Sequence, residues 1–190
     1  NLTVERHVSN TAYGYRDISS SVNTTVADLA DDMSIVGLDA VHCWYSYSPY
    51  PNVQYYQENS NAVTNNYYGG WWSMTGYGNA LSPMKGVAIR TGAGPYTLDL
   101  TGAPYNGSQS ITVTHTATGT PDADGWNFVG NPYASPIDWD LVTKTGIDAS
   151  YYVFNTTGTI SNEYTGNWSA YNLVVGVNLA SDKIASSQGF

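Results

Sequence analysis

Aromatic side chains crowd one polar stretch of the sequence, residues 59–79, which holds almost no aliphatic residue. Tyr67, Tyr68, Trp71 and Trp72 lie within it. A flat aromatic face can stack on the C–H face of a sugar ring, while neighbouring asparagine amides bond its hydroxyls. A loop of this length is uncommon inside a compact domain and is often functional. These four residues are therefore the candidate ligand-binding residues, and the predicted ligand is a glycan.

The same rings have a structural alternative. Aromatic side chains bury large areas, so these could cover the end of a β-fold and pack on one another. A module that only sets distance would bury them and leave no flat aromatic patch. The sequence leaves both interpretations open.

Two acids form a second candidate site. Asp122 and Asp124 precede Gly125 in a D-x-D-G pattern. Carboxylate oxygens in such patterns converge on calcium where a glycine permits a sharp turn. The downstream glutamate of an EF-hand is missing, so a solvated acidic turn is the alternative. The pattern predicts Ca²⁺ as a cofactor and no other.

The sequence contains no recognisable arrangement of catalytic residues. His7, His42 and His115 lie in separate predicted strands without the spacing of metal ligands. A G-x-S-x-G nucleophile elbow is absent, and the glutamates are isolated, whereas glycosidases pair two carboxylates across a cleft. We expect no catalytic residues and no enzyme activity.

Composition favours an extracellular β-protein. Charged residues make up only 11% of the chain, and the formal net charge is −9. This charge repels nucleic acids and anionic membranes, so we expect neither as a partner. No run of the sequence is long and apolar enough for membrane insertion. Cys43 is the single cysteine, which excludes an internal disulfide.

Short runs of alternating polarity, separated by turn residues, predict about eleven strands. In the clearest of them Leu98 and Leu100 should face inward, and in another Ile111 and Val113. The predicted strands cover residues 3–8, 13–19, 41–47, 53–57, 85–90, 96–101, 110–116, 126–129, 151–154, 173–177 and 184–190. The predicted fold is all-β, a two-sheet antiparallel β-sandwich that is jelly-roll-like.

One short helix is predicted near residues 136–142, because Ser135 suits an N-cap and Pro136 the first helical position. It ends the most specified segment of the chain, residues 125–140, which read GWNFVGNPYASPIDWD. Trp126 and Phe128 make an apolar run before the Gly-Asn-Pro turn, so we expect both in the core.

This segment resembles the GWN-[LF]-VGNPY-x-SPIDW signature of large secreted and cell-surface proteins of the Bacteroidota, many of them cargo of the type IX secretion system. Further stretches resemble the same pattern, namely residues 4–8, 14–22, 25–29, 81–89 and 184–190. The resemblance implies a secreted or cell-surface, extracellular location. It implies no reaction.

We therefore expect residues 1–190 to form a single β-sandwich module, a fragment of a longer multidomain protein. The predicted function is adhesion or carbohydrate contact without catalysis. A structural spacer without ligand is the alternative, and a carbohydrate-active enzyme is third. Expected partners are glycans or neighbouring domains of the same chain.

Overall fold

The computed structural model describes residues 1–8, 13–38, 51–60, 70–92, 95–117, 124–158 and 165–190. This part of the chain forms thirteen strands, paired antiparallel throughout. They are β1 (Leu2–Val8), β2 (Gly14–Ile18), β3 (Val22–Thr25), β4 (Val53–Tyr56), β5 (Trp71–Ser73), β6 (Ala80–Leu81), β7 (Val87–Thr91), β8 (Tyr96–Pro104), β9 (Ile137–Asp138), β10 (Tyr151–Thr156), β11 (Gly166–Tyr171), β12 (Gly176–Val177) and β13 (Lys183–Ile184). Three short 3₁₀ helices cover Val26–Leu29, Glu58–Ser60 and Trp139–Leu141. No helix of the described ranges has the length and apolar character needed to cross a membrane.

The first eight strands are arranged as a jelly roll. Their ladders pair β1 with β8, β2 with β7, β3 with β6 and β4 with β5, as in one long nested hairpin. The hairpin wraps into two four-stranded sheets, ordered β1-β8-β3-β6 and β2-β7-β4-β5. This strand order is that of a jelly roll, built from two Greek keys. The predicted all-β, jelly-roll-like sandwich is confirmed.

One hydrophobic core lies between these two sheets. Leu98 and Leu100 of β8 are buried in it while their neighbours Thr97 and Thr101 are exposed, as the alternation in the sequence predicts. Both sheets contribute aliphatic side chains to the same cluster, among them Val22, Leu81, Leu98 and Leu100 from the first and Ile18, Val53, Val87 and Ile89 from the second.

A second, smaller cluster forms in the C-terminal part of the chain. It belongs to the sheet β10-β11-β12 and the two-stranded sheet β13-β9. Trp139, only 5% exposed, lies at its centre. Its ring packs edge-to-face on Tyr151 at 5.5 Å and on Phe190 at 5.4 Å, and its Nε1 donates to the carbonyl oxygen of Ala149 at 2.6 Å.

The helix near residues 136–142 begins later than predicted. It is the single 3₁₀ turn Trp139–Leu141, and its N-cap is Asp138, whose Oδ1 accepts from the Asp140 amide at 3.1 Å. Ser135 and Pro136 precede it, because β9 pairs with β13 and holds the intervening backbone extended. The other two 3₁₀ helices were not predicted.

Two of the predicted strands have no ladder. Within the described residues, 110–116 form no strand, and 126–129 contribute only an isolated bridge between Val129 and Lys85. The Asn127 side chain joins these two segments instead. Its Oδ1 accepts from the Thr114 amide at 3.1 Å, and its Nδ2 donates to the Thr114 carbonyl at 2.8 Å. The predicted strand 41–47 lies outside the described residues.

The expected burial of Trp126 is wrong. Its side chain is 45% exposed, because no ladder turns it towards the core, and its ring packs on that of Tyr152 at 5.3 Å. Phe128 is half-buried and lies against Gly86, where an added Cβ would come within 2.6 Å of the Phe128 ring. Glycine at position 86 therefore makes room for the phenylalanine.

We expect Trp139→Ala to lower the free energy of unfolding by about 3–5 kcal/mol, the range for truncating a buried tryptophan. For a chain of this size, the melting temperature should fall by roughly 6–20 °C. Trp126→Ala is the matched control and should lower it by only a few degrees, since much of that ring already meets water. Thermal melts of both variants make the comparison; equal losses would contradict the assignment of Trp139 to the core.

Candidate functional site

Asn131, in the middle of the signature segment, is fully buried and uses both ends of its amide. Its Nδ2 donates to the carbonyl oxygens of Ser135 at 2.8 Å and Ala185 at 3.0 Å. Its Oδ1 accepts from the Tyr133 amide at 3.0 Å. The side chain thus ties the signature loop to the segment that follows β13.

Close backbone packing explains the glycine before it. A Cβ on Gly130 would lie 2.2 Å from the Cβ of Ser19, so only glycine fits. The Ser19 hydroxyl donates to the Asn131 carbonyl oxygen at 2.7 Å. The pair Gly130-Asn131 therefore forms a structural corner. The Asn131 side chain is fully engaged in the fold.

A half-buried polar group lies beside this corner. The Arg6 guanidinium donates to the Ser187 carbonyl oxygen and to Oε1 of Gln188. Gln188 Nε2 in turn donates to the Asp17 carbonyl oxygen at 2.9 Å. Burial lowers the pKa of the Arg6 guanidinium, and the nearby Asp17 carboxyl opposes this shift. The group links β1, β2 and the end of the described chain.

The Asp17 carboxyl is itself buried. Burial raises its pKa to about 7, although the backbone N–H of Phe154 and the charges of Arg6 and Arg16 act to lower it. The carboxyl accepts a hydrogen bond from a backbone N–H of β10, while Asp17 itself belongs to β2. It therefore connects the sheet β2-β7-β4-β5 with the sheet β10-β11-β12. Its titration is coupled to folding.

Replacing Asp17 with Asn should flatten the pH dependence of stability between about pH 4 and pH 7. The unfolded carboxyl ionises near pH 3.8 and the buried one near pH 7, so unfolding releases a proton in this window and stability falls as pH rises. A difference of about three units corresponds to roughly 4 kcal/mol. Urea unfolding at several pH values tests this. The exposed Glu5→Gln variant should keep the parent slope, and an unchanged slope in Asp17→Asn would contradict the prediction.

Glu58 is the second buried carboxyl, and it anchors the segment that holds the candidate calcium site. Its oxygens accept from the Thr116 amide at 2.5 Å, the Thr116 and Thr114 hydroxyls at 2.9 Å each, and the Gly125 amide at 3.2 Å. Burial raises the pKa of Glu58, but these hydrogen bonds outweigh it and the pKa lies below its usual value. Such a carboxylate suits an anchor, because all four contacts favour its charged form.

The predicted glycan-binding residues separate into two pairs. Tyr67 and Tyr68 lie outside the described residues. Trp71 and Trp72 belong to strand β5, which pairs with β4, and both are half-buried. Residues Trp71–Ser73 of the predicted loop are therefore part of a sheet.

Both tryptophans have partners in the fold. The Trp71 ring packs edge-to-face on Tyr56 at 5.2 Å and on Phe128 at 5.3 Å. Trp72 Nε1 donates to the Ser60 hydroxyl at 2.9 Å. The ring packing of Trp71 agrees with the structural alternative, and Trp72 is held to the fold by a hydrogen bond.

The predicted calcium site is described only in part. Asp122 lies outside the described residues, and Asp124 is half-buried in a turn. Gly125 has φ +76°, the left-handed conformation that the predicted sharp turn requires. Within the described ranges, the carboxylate groups close enough to share a cation are Asp31, Asp32 and Asp99, and Asp138, Asp140 and Asp182.

A group of aromatic rings, most of them exposed, covers the outer face of the β10–β11 pair. Phe154 lies opposite Trp168 in the ladder, and Tyr152, two residues away, faces the same side. The rings of Phe154 and Trp168 are 5.1 Å apart, and Trp126 packs on Tyr152. Trp168 is 55% and Tyr152 38% exposed. We call Trp126, Tyr152, Phe154 and Trp168 the aromatic face.

A glycine shapes this face. A Cβ on Gly166 would come within 2.3 Å of Phe154 Cζ, so the ring can lie close over the strand only because position 166 carries no side chain. The pattern of an aromatic ring over a strand glycine stabilises sheet edges. Phe154 thus supports its neighbour Trp168, which keeps more of its surface in water.

Sequence reasoning missed the aromatic face. Tyr152 and Phe154 alternate within a predicted strand, which was the one available signal. Trp168 was not placed in a strand, and Trp126 was expected in the core. The register of β10 with β11 places three of the rings on one face, and Trp126 joins them through its contact with Tyr152.

Comparisons with known proteins give no further guide to function. No protein-family model, no curated protein and no solved structure matches this chain.

Proposed function

We propose that this chain is a non-catalytic module of a secreted or cell-surface protein and that it contacts carbohydrate through its aromatic face. The observation that carries the proposal is the aromatic face, in which three rings are exposed and three belong to the β10–β11 pair. Single exposed apolar residues are ordinary, whereas a contiguous group of them indicates an interaction site.

The chemistry of this face fits a neutral, extended ligand. Its four members are all aromatic, and Tyr152 and Phe154 are about 7 Å apart along the strand. Rings at this separation can meet successive parts of one chain, and stacking needs no charge on the ligand. Because the protein carries a net charge of −9, it would repel acidic polymers but not neutral glycans.

The extracellular location rests on the sequence. The signature segment resembles that of Bacteroidota surface and secreted proteins, including type IX secretion cargo, and the low content of charged residues fits the same environment. Weak stacking sites suit a protein displayed in many copies, where avidity multiplies them.

The four residues first predicted stay in the proposal as a second contact region. Tyr67 and Tyr68 would supply it, and Trp71 and Trp72 could add only the exposed parts of rings that already pack in the fold. The packing of Trp71 on Tyr56 favours the rival function, a structural spacer without ligand.

A glycan array followed by affinity measurement tests the proposal. Trp168→Ala and Tyr152→Ala should each weaken polysaccharide binding about five- to tenfold, the effect of losing roughly 1–1.4 kcal/mol of ring contact. Tyr77→Ala is the matched control, because Tyr77 is also exposed but lies outside the aromatic face; it should change nothing.

Three contrary results are distinguishable. Binding lost in a Trp71→Ala/Trp72→Ala double variant but kept in Trp168→Ala would move the site to the β5 region. Binding that survives in the double variant and in Trp168→Ala would exclude the β5 region and the aromatic face as the site. A parent protein that binds no glycan would favour the spacer.

Calcium at Asp122 and Asp124 is a separate proposal, supported by the left-handed turn at Gly125. Binding to the folded state alone raises the melting temperature with calcium concentration. We expect the parent to melt higher in millimolar Ca²⁺ than in chelator, and an Asp122→Asn/Asp124→Asn variant to show no difference. Identical melting of the parent under both conditions would remove the proposal.

A further inference from the structure

The inner face of the β10–β11 pair borders an open cleft of about 580 Å³ between this sheet and the chain from Asn178 to Gln188. That volume lies within the range of about 300–1,000 Å³ typical of small-molecule sites. Three asparagines line it, Asn155 from β10, Asn167 from β11 and Asn178 after β12. We call this the amide cleft.

Hydrogen bonds orient two of these amides. Asn155 Nδ2 donates to the Ser169 hydroxyl at 2.6 Å, and that hydroxyl donates to the Asn178 carbonyl oxygen at 2.6 Å. Asn178 Nδ2 donates to the Trp168 carbonyl oxygen at 2.8 Å. One N–H of each side-chain amide is used, which orients its plane. Oδ1 of Asn155 and of Asn178 is then an acceptor with no partner among the described residues.

Asn167 keeps its whole amide for a ligand. It lies directly opposite Asn155 in the ladder, and its side chain makes no hydrogen bond within the described part of the chain. It can therefore both donate and accept. With the two oriented acceptors, the cleft presents a small set of fixed, neutral polar groups.

The rest of the lining is uncharged, apart from one lysine whose charge is neutralised. Val153, Ala180 and Ile184 supply aliphatic surface. The one cation in the lining, Lys183, is paired with Asp138 at 2.7 Å and also with Asp182. An anionic ligand would have to compete with two carboxylates for it. The lining therefore selects a neutral ligand rich in hydroxyl groups, with a C–H face for the aliphatic side.

The backbone at the rim of the cleft is strained. Asn178 has φ +53° and Leu179 φ +73°, a left-handed conformation that is unfavourable for a bulky residue such as leucine. Leu179 is also fully exposed, so no packing repays this cost. Strain of this kind concentrates at ligand sites, where a ligand contact can stabilise it.

We propose that the amide cleft binds one or two units of a neutral sugar and supplies the selectivity that the aromatic face lacks. This inference rests on the proposed carbohydrate function. Stacking on the aromatic face accepts any sugar with a flat C–H face. Oδ1 of Asn155 and Asn178 and the amide of Asn167 would instead require hydroxyls at defined positions, because a sugar without them leaves polar groups unpaired.

The test is titration of the intact chain with neutral mono- and disaccharides, followed by ¹⁵N NMR of the asparagine side-chain amides. The panel is glucose, galactose, mannose, N-acetylglucosamine and their disaccharides, with glucuronate as the charged comparison. At least one neutral sugar should shift the Asn167 amide resonances saturably, and Asn167→Ala should weaken that sugar at least fivefold. Asn23→Ala, at another exposed strand asparagine, is the matched control and should leave binding unchanged.

The two carbohydrate sites are separable in this experiment. Trp168→Ala should lose polysaccharide binding and keep the small-sugar shifts. Asn167→Ala should lose the small-sugar shifts and keep polysaccharide binding, without a change in melting temperature. Polysaccharide binding with no small-sugar shift would overturn the amide cleft and leave the proposed function intact. Tighter binding of glucuronate than of glucose would overturn the neutral selectivity. Absence of both kinds of binding would overturn both proposals.

Discussion

The buried hydrogen bonds of Asn131, made by its backbone carbonyl and by its side-chain amide, join chain segments next to both hydrophobic clusters. The Asn131 carbonyl oxygen accepts a hydrogen bond from the Ser19 hydroxyl, just after β2. The Asn131 side-chain amide donates to the Ala185 carbonyl oxygen, just after β13. Because the group is fully buried, every hydrogen bond that it fails to make would cost the desolvation of an amide. The sequence around it buries one asparagine without leaving a polar atom of its side chain unpaired. Glycine at position 130 follows from the same requirement, since the backbone must approach Ser19 closely.

The sequence predicts the fold well where burial alternates within a strand that has partners on both sides. Strand β8 is such a case, because Leu98 and Leu100 meet the core and their neighbours meet water. Residues 110–116 show the same alternation yet form no strand, since alternation cannot reveal whether a neighbouring strand exists to pair with. Strand β11 was missed for the opposite reason. Its inward positions Asn167 and Ser169 face the amide cleft, so its pattern resembles a polar loop.

The candidate sites were less predictable than the fold, because both depend on cross-strand register. The composition shows an aromatic-rich chain, from which we predict a glycan as the ligand class. It favours the densest cluster of rings in the sequence as the binding site. At Trp71 that density serves packing. The aromatic face collects Tyr152, Trp168 and Trp126 from three distant parts of the sequence, and no local pattern could have grouped them.

The nested pairing of the jelly roll also constrains how the chain acquires its structure. Strand β1 must find β8, and Arg6 must find Gln188, a partner 182 residues away. Contacts of such long range are formed late and slowly, because loop closure opposes them until many are made together. The chain would therefore stay unfolded until nearly all of it is present in one compartment. For the secreted protein that we propose, this delay would be an advantage, since a chain that cannot close early remains threadable during export.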